Sequence, residues 1–99
     1  MGIDEILTQH DLILAEGAVI EALRRKQRIE LHPRLENALL VYDEAGKQAL
    51  AQIYNEYISV AHTARVPIVV CAPTWRANRE RLTETNETRN VNRDAVAFM

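Results

Sequence analysis

Between residues 45 and 64 apolar side chains return at a helical interval, and a proline comes soon after. Leu50, Ile53, Tyr54, Tyr57, Ile58 and Ala61 fall at i, i+3, i+4, i+7, i+8 and i+11, which lines them along one face of a 3.6-residue helix. Asp43 and Glu44 stand at its start, where carboxylates meet the positive end of the helix dipole. Pro67 forbids continuation, because it lacks a backbone donor and its ring clashes with the preceding turn. Directly after it comes IVVCA, residues 68–72, rich in β-branched residues and wholly apolar. A helix running into a buried strand is a building unit of parallel α/β folds.

A second run of that kind, DLILA at residues 11–15, is closed by Glu16-Gly17 and predicts another buried strand. From Ala18 the period changes. Val19, Ile20 and Leu23 share a helical face, and Arg24, Arg25 and Lys26 come next, where cations favour the end of a helix. Pro33 marks a break, and Leu35, Leu39 and Leu40 fit a short second helix. Residues 83–92, TETNETRNVN, are polar without periodicity and predict a loop, and Arg93 to Met99 opens a helix. Both predicted strands are apolar on both faces, as in a parallel sheet covered by helices. Two such strands alone leave unpaired edges. The expected fold class is therefore α/β: the first βα units of a barrel, incomplete in this chain, or else a chain that associates. Residues 1–99 then form a partial N-terminal portion of one domain, with strands near 11–15 and 68–72 and a long helix near 45–64.

Composition narrows the function classes. A formal charge of −2 leaves no basic footprint for nucleic acid or an anionic membrane. Glutamates flank the clusters Arg24-Arg25-Lys26 and Arg76 to Arg81, which read as solvated faces. No apolar stretch approaches the length of a membrane span. The N-terminal MGIDEILTQHDLIL lacks the basic and long apolar regions of a signal peptide. The single cysteine, Cys71, excludes an internal disulfide and suits a reducing compartment, so a cytoplasmic chain is expected. Cys71 lies inside an apolar run and is expected to be a small buried hydrophobe. His10, His32 and His62 have no metal-ligand spacing with one another or with Cys71. Phosphate-binding glycine loops, a nucleophile elbow and CxxC are all missing.

Ligands of parallel α/β folds bind at the carboxyl ends of the strands. Two loops hold that position, Ala15-Glu16-Gly17-Ala18 and Ala72-Pro73-Thr74-Trp75-Arg76. Glu16 can accept hydrogen bonds from a cationic amine, and Gly17 lets backbone approach a ligand. Thr74 offers a donor and acceptor, Trp75 an aromatic wall and Arg76 a fork for a carboxylate. Together they suit a small zwitterion such as an amino acid. Each also has a plain structural role: turn chemistry for Glu16-Gly17, a turn cap for Thr74, a core or interface plug for Trp75.

EGAVIEALRR, YNEYISVAHTARVP and VVCAPTWRANRERL, in this order from about Leu12 to Leu82, resemble the N-terminal third of the homocysteine S-methyltransferase family. In that family a first strand ends in a motif like D-G-(A/G)-x-x-x-x-L, and a second closes with a T-x-T-(F/W)-x-A-like loop. The resemblance implies a TIM barrel that methylates the thiol of homocysteine, or a similar thiol, with zinc as activator, as in methionine biosynthesis. It implies a thiol amino acid and a methyl donor as partners of the full-length enzyme. By position Glu16 stands for the acidic residue near the substrate amino group, Gly17 for the motif glycine, and Thr74 and Trp75 for the hydroxyl and aromatic of the second loop. Arg76 lies beside them, where members vary with the methyl donor. This sequence departs from the pattern with glutamate for the commoner aspartate, Ile20-Glu21 for Gly-Thr, and Ala72-Pro73 opening the second loop. The family's zinc ligands are cysteines from late strands and Cys71 is not one of them, so the expectation is zinc for the full-length family, and no metal and no catalytic residue in this chain.

A full barrel needs about 250 residues, so these residues are expected to be the opening segment of such an enzyme, truncated or split, and inactive alone. They would work with the remainder of the barrel or as a homo-oligomer. The alternative is a non-catalytic, self-associating α/β interaction module, with Trp75 and the stripe on residues 50–61 at its interface. A third reading is another α/β barrel enzyme whose first two units look alike.

Overall fold

Helix dominates the chain. In a computed structural model, which describes residues 2–99, helices account for 55% of the residues and strands for two short pieces. The order is α1 (Ile3–Gln9), β1 (Leu14–Ala15), α2 (Val19–Arg25), a 3₁₀ helix (Ala38–Tyr42), α3 (Glu44–Ala64), β2 (Ile68–Val69), α4 (Arg79–Glu84) and α5 (Val91–Phe98). β1 and β2 pair in parallel, Leu14 opposite Ile68 and Ala15 opposite Val69, and the Leu14 N–H donates to the Pro67 carbonyl at 2.9 Å.

This architecture corrects the expectation of a partial TIM barrel with covering helices: the chain is a small α-rich domain. The core explains why. Val19 and Leu23 of α2, Val41 of the 3₁₀ helix, Ala49, Leu50, Ile53 and Tyr54 of α3 and Ala95 of α5 pack into one cluster. Burying side chains as completely as Leu23, Leu50 and Ile53 contributes about 1.5–3 kcal/mol each. Leu35, Ala38, Ala77 and Val91 form a second cluster, with Leu82 against it. Both are assembled from helices and loops, and neither strand contributes a fully buried side chain. The runs DLILA and IVVCA lie at the margin, with Leu12 58% and Val69 45% exposed. They are not covered on both faces.

The ladder is short for a local reason. In a continued parallel ladder the next rung would run from the Cys71 N–H to the Glu16 carbonyl. That N–H donates to the Glu16 side chain instead, at 3.0 Å from Oε1.

α3 follows its sequence signals closely. The Asp43 carboxylate accepts from the Gly46 N–H at 2.8 Å and caps the first turn. Arg65 ends the helix in the left-handed conformation (φ 57°, ψ 42°), and Pro67 lies two residues on. Gly46 is buried where α3 meets the 3₁₀ helix: a Cβ there would lie 2.6 Å from the Leu40 carbonyl oxygen and 2.9 Å from Leu40 Cβ. On the apolar stripe, Leu50, Ile53, Tyr54 and Ala61 are buried, Tyr57 is half-buried and Ile58 is exposed.

Residues 83–92 are not a continuous loop. Asn78 caps α4 by accepting from the Arg81 N–H at 2.9 Å, and Asn90 caps α5 by accepting from the Arg93 N–H at 3.1 Å. Asn92 then ties α5 to the second strand's loop, donating to the Ala77 carbonyl at 2.8 Å. Tyr42 fixes the 3₁₀ helix to α5 by donating to Asp94 at 2.5 Å, and the Arg89 guanidinium lies 3.7 Å over the Tyr42 ring. α1 buries no side chain. No helix among the described residues is long and apolar enough to cross a membrane.

Candidate functional site

Parallel pairing of β1 and β2 carries the loops that succeed them to the same end of the ladder. Between these loops and the start of α2 lies an open cleft of about 230 Å³, whose lining includes Glu16, Gly17, Asn37, Tyr54, Cys71 and Trp75. That is below the roughly 300–1,000 Å³ of pockets that take drug-sized molecules.

The Cys71 backbone lines the cleft and is held on both sides. Its N–H donates to Glu16 Oε1 at 3.0 Å, and its carbonyl accepts from the Tyr54 hydroxyl at 2.8 Å. The Glu16 carboxylate is therefore positioned by backbone, and the Cys71 thiol lies against it as well. Burial, then the nearby Glu16 charge, pushes the Tyr54 hydroxyl up to about 12, so it stays a donor at neutral pH. The same carboxylate, with burial second, raises the Cys71 thiol. A raised thiol is mostly protonated and a poor nucleophile. Cys71 is also exposed, contrary to the buried hydrophobe expected from its apolar neighbours. The chain leaves the sheet at Val69, and among the described residues no third strand covers the segment beyond it.

The structure brings together three of the five candidate residues from the sequence. Glu16, Gly17 and Trp75 line the cleft, whereas Thr74 and Arg76 are not part of its wall. Gly17 has a packing reason of its own, since a Cβ there would lie 2.7 Å from the Tyr57 hydroxyl. Thr74 makes a tight turn: its N–H donates to the Ala72 carbonyl at 2.7 Å, its hydroxyl to the same oxygen at 3.4 Å, and its own carbonyl accepts from Ala77. Trp75 is 64% exposed, so it plugs no core in this chain. The Arg76 guanidinium stacks 3.9 Å from the centre of its ring, and Arg76 is thereby bound up with the indole.

Sequence reasoning missed Asn37 and the structural use of Tyr54. Asn37 is 4% exposed, and its Oδ1 has no hydrogen-bond partner among the described residues. Tyr54 was legible only as one position of an apolar stripe. Among the described residues, no three His, Cys, Asp or Glu side chains converge as metal ligands. Compared with protein-family models, with curated proteins and with solved structures, the chain matches none.

Proposed function

We propose that the cleft holds a small amino acid bearing a thiol, and that the chain is the substrate-holding part of a homocysteine S-methyltransferase-like protein of a reducing, cytoplasmic compartment. The observation that carries this reading is the Glu16 carboxylate. It is fixed by the Cys71 N–H, stays partly open to solvent, and lines the same cleft as the exposed Trp75 indole. A carboxylate held ready in this way favours a cationic amine, and an indole gives the apolar part of a ligand a surface. The two residues come from the two segments that resemble the methyltransferase motifs. The lone Cys71 with Glu16 beside it is not a zinc ligand set, and no methyl-transfer step is assigned to these residues.

Calorimetric titration of the chain with homocysteine tests the proposal. Glu16→Gln retains an oxygen for the Cys71 N–H and removes the charge. It should weaken homocysteine binding about tenfold or more, as expected for a hydrogen bond to a charged group, and leave the melting temperature close to that of the unchanged chain. Equal binding by both proteins would reject the assignment.

A second reading, self-association, is favoured by the two-stranded ladder, whose outer edges have no partner strand among the described residues, and by the exposed Leu12 and Val69 beside them. Light scattering across a concentration series separates a discrete oligomer from a monomer.

A further inference from the structure

Asn37 precedes the 3₁₀ helix in a segment for which the proposed binding reaction has no role. It is the one buried polar or charged residue among those described, and it lines the cleft. Its Oδ1 has lost water without gaining a partner, so the chain bears the desolvation penalty of that acceptor uncompensated. This is an anomaly in a protein whose other turn and cap side chains, Asp43, Asn78 and Asn90, are all engaged. Tyr54, the nearby hydroxyl of the cleft wall, already donates to the Cys71 carbonyl and does not serve Asn37.

The cleft lining thus holds two acceptors, the charged Glu16 carboxylate and the orphaned Asn37 Oδ1. A ligand complementary to both must bring more than one N–H or O–H and a positive charge to match the carboxylate. A primary ammonium does this, with three N–H donors and no acceptor. A neutral hydroxyl leaves the charge unmatched, and a carboxylate meets repulsion. Resting on the proposal that this cleft binds a small thiol-bearing molecule, we infer that Asn37 is a specificity-determining residue, whose Oδ1 accepts a hydrogen bond from the ligand's primary ammonium group alongside Glu16. The terminal torsion of asparagine is broad and roughly two-fold, so the oxygen turns from wall to ligand without backbone movement.

The ammonium, more than the rest of the amino acid, is then what the cleft reads, and a simple aminothiol is a sufficient probe. The test titrates 2-aminoethanethiol and 3-mercaptopropionate into the unchanged chain, Asn37→Leu and Asn37→Asp, with ligand-free melting temperatures recorded for each. The expected result is that the unchanged chain binds the amine and not the acid. Asn37→Leu should bind the amine about tenfold more weakly, with a melting temperature at or above that of the unchanged chain, because an orphaned acceptor has been removed. Asn37→Asp, which keeps an acceptor, should bind it at least as well as the unchanged chain. If the unchanged chain and Asn37→Leu bind the amine equally, the inference about Asn37 fails and the cleft reading stands. If neither the amine nor homocysteine binds the unchanged chain, both fail. A melting temperature lowered in Asn37→Leu, with amine binding intact, assigns Asn37 a purely structural role and overturns the inference.

Discussion

Replacing Gly46 by alanine sets two physical effects of opposite sign against each other. Gly46 lies in the first turn of α3, and alanine is the better helix former by about 0.8–1.0 kcal/mol. From propensity alone, Gly46→Ala should stabilise the chain. The packing says otherwise. The new methyl would lie 2.6 Å from the Leu40 carbonyl oxygen, 2.9 Å from Leu40 Cβ and 3.0 Å from Leu40 Cα, so two of the three clashing atoms are backbone and cannot rotate away. Relief requires the 3₁₀ helix to move off α3, and with it Val41, which packs in the main core beside Ala49 and Leu50. Overpacking of this kind costs about 1–3 kcal/mol. An unyielding backbone neighbour puts this case at the upper end. Subtracting the propensity gain leaves a net loss of about 1–2 kcal/mol. For a domain of this length that lowers the melting temperature by roughly 5–15 °C. Thermal unfolding followed by circular dichroism measures it, with Ala45→Gly as the control. Ala45 is the exposed neighbour in the same turn, and its replacement should cost only about 0.5–1 kcal/mol through propensity. A Gly46→Ala protein that melts at or above the temperature of the unchanged chain would refute the close approach of the 3₁₀ helix to α3.

Arg65 occupies the left-handed region at the end of α3, where glycine carries no Cβ penalty. Arg65→Gly should raise stability by about 0.5–1 kcal/mol, read as a higher denaturant midpoint at unchanged slope. The Tyr42 hydroxyl is pushed from 10.0 up to about 12, first by burial and then by the hydrogen bond and charge of Asp94. Its folded pKa lies above its unfolded one, so its contribution is intact below pH 10 and is lost as pH rises towards 12. Tyr42→Phe should flatten part of the fall in stability across that window, leaving the part due to Tyr54, which is raised to about 12 as well. An alkaline limb identical in both proteins would contradict the Tyr42–Asp94 contact.

How much of the fold was legible depends on how local each determinant is. The long helix was predicted for 45–64 and runs Glu44–Ala64, because its stripe, its Asp43 cap and its proline stop all lie in or beside the segment. Both apolar runs do contain paired strands, but their length was not readable. An apolar run says that a segment prefers burial, whereas a strand extends only as far as partners accept its N–H groups, and here the Glu16 side chain takes the next rung. Leu12, Val69 and Cys71 are exposed because, among the described residues, no third strand joins the two-stranded ladder. The Asn90 cap is a local signal inside the polar stretch 83–92, and the Asn78 cap lies just before that stretch. At the candidate site, Glu16 and Trp75 were readable as residue types at loop positions. Asn37 was not: Glu36 before it adopts φ 53°, a left-handed residue that turns the chain there, and nothing in HPRLENALL announces that.

The clamp on the Cys71 peptide separates two motions that are usually indistinguishable. An amide inside a sheet exchanges its hydrogen when the strands part. The Cys71 amide sits just past the end of β2 and is shielded by a carboxylate on a side chain, so it is released when Glu16 swings away, even with every strand bond intact. Leu14, whose N–H is bonded to the Pro67 carbonyl, reports the parting of the strands. Hydrogen exchange at these two amides therefore times side-chain opening and strand separation independently in one protein, and a ligand that grips Glu16 slows the first clock without touching the second.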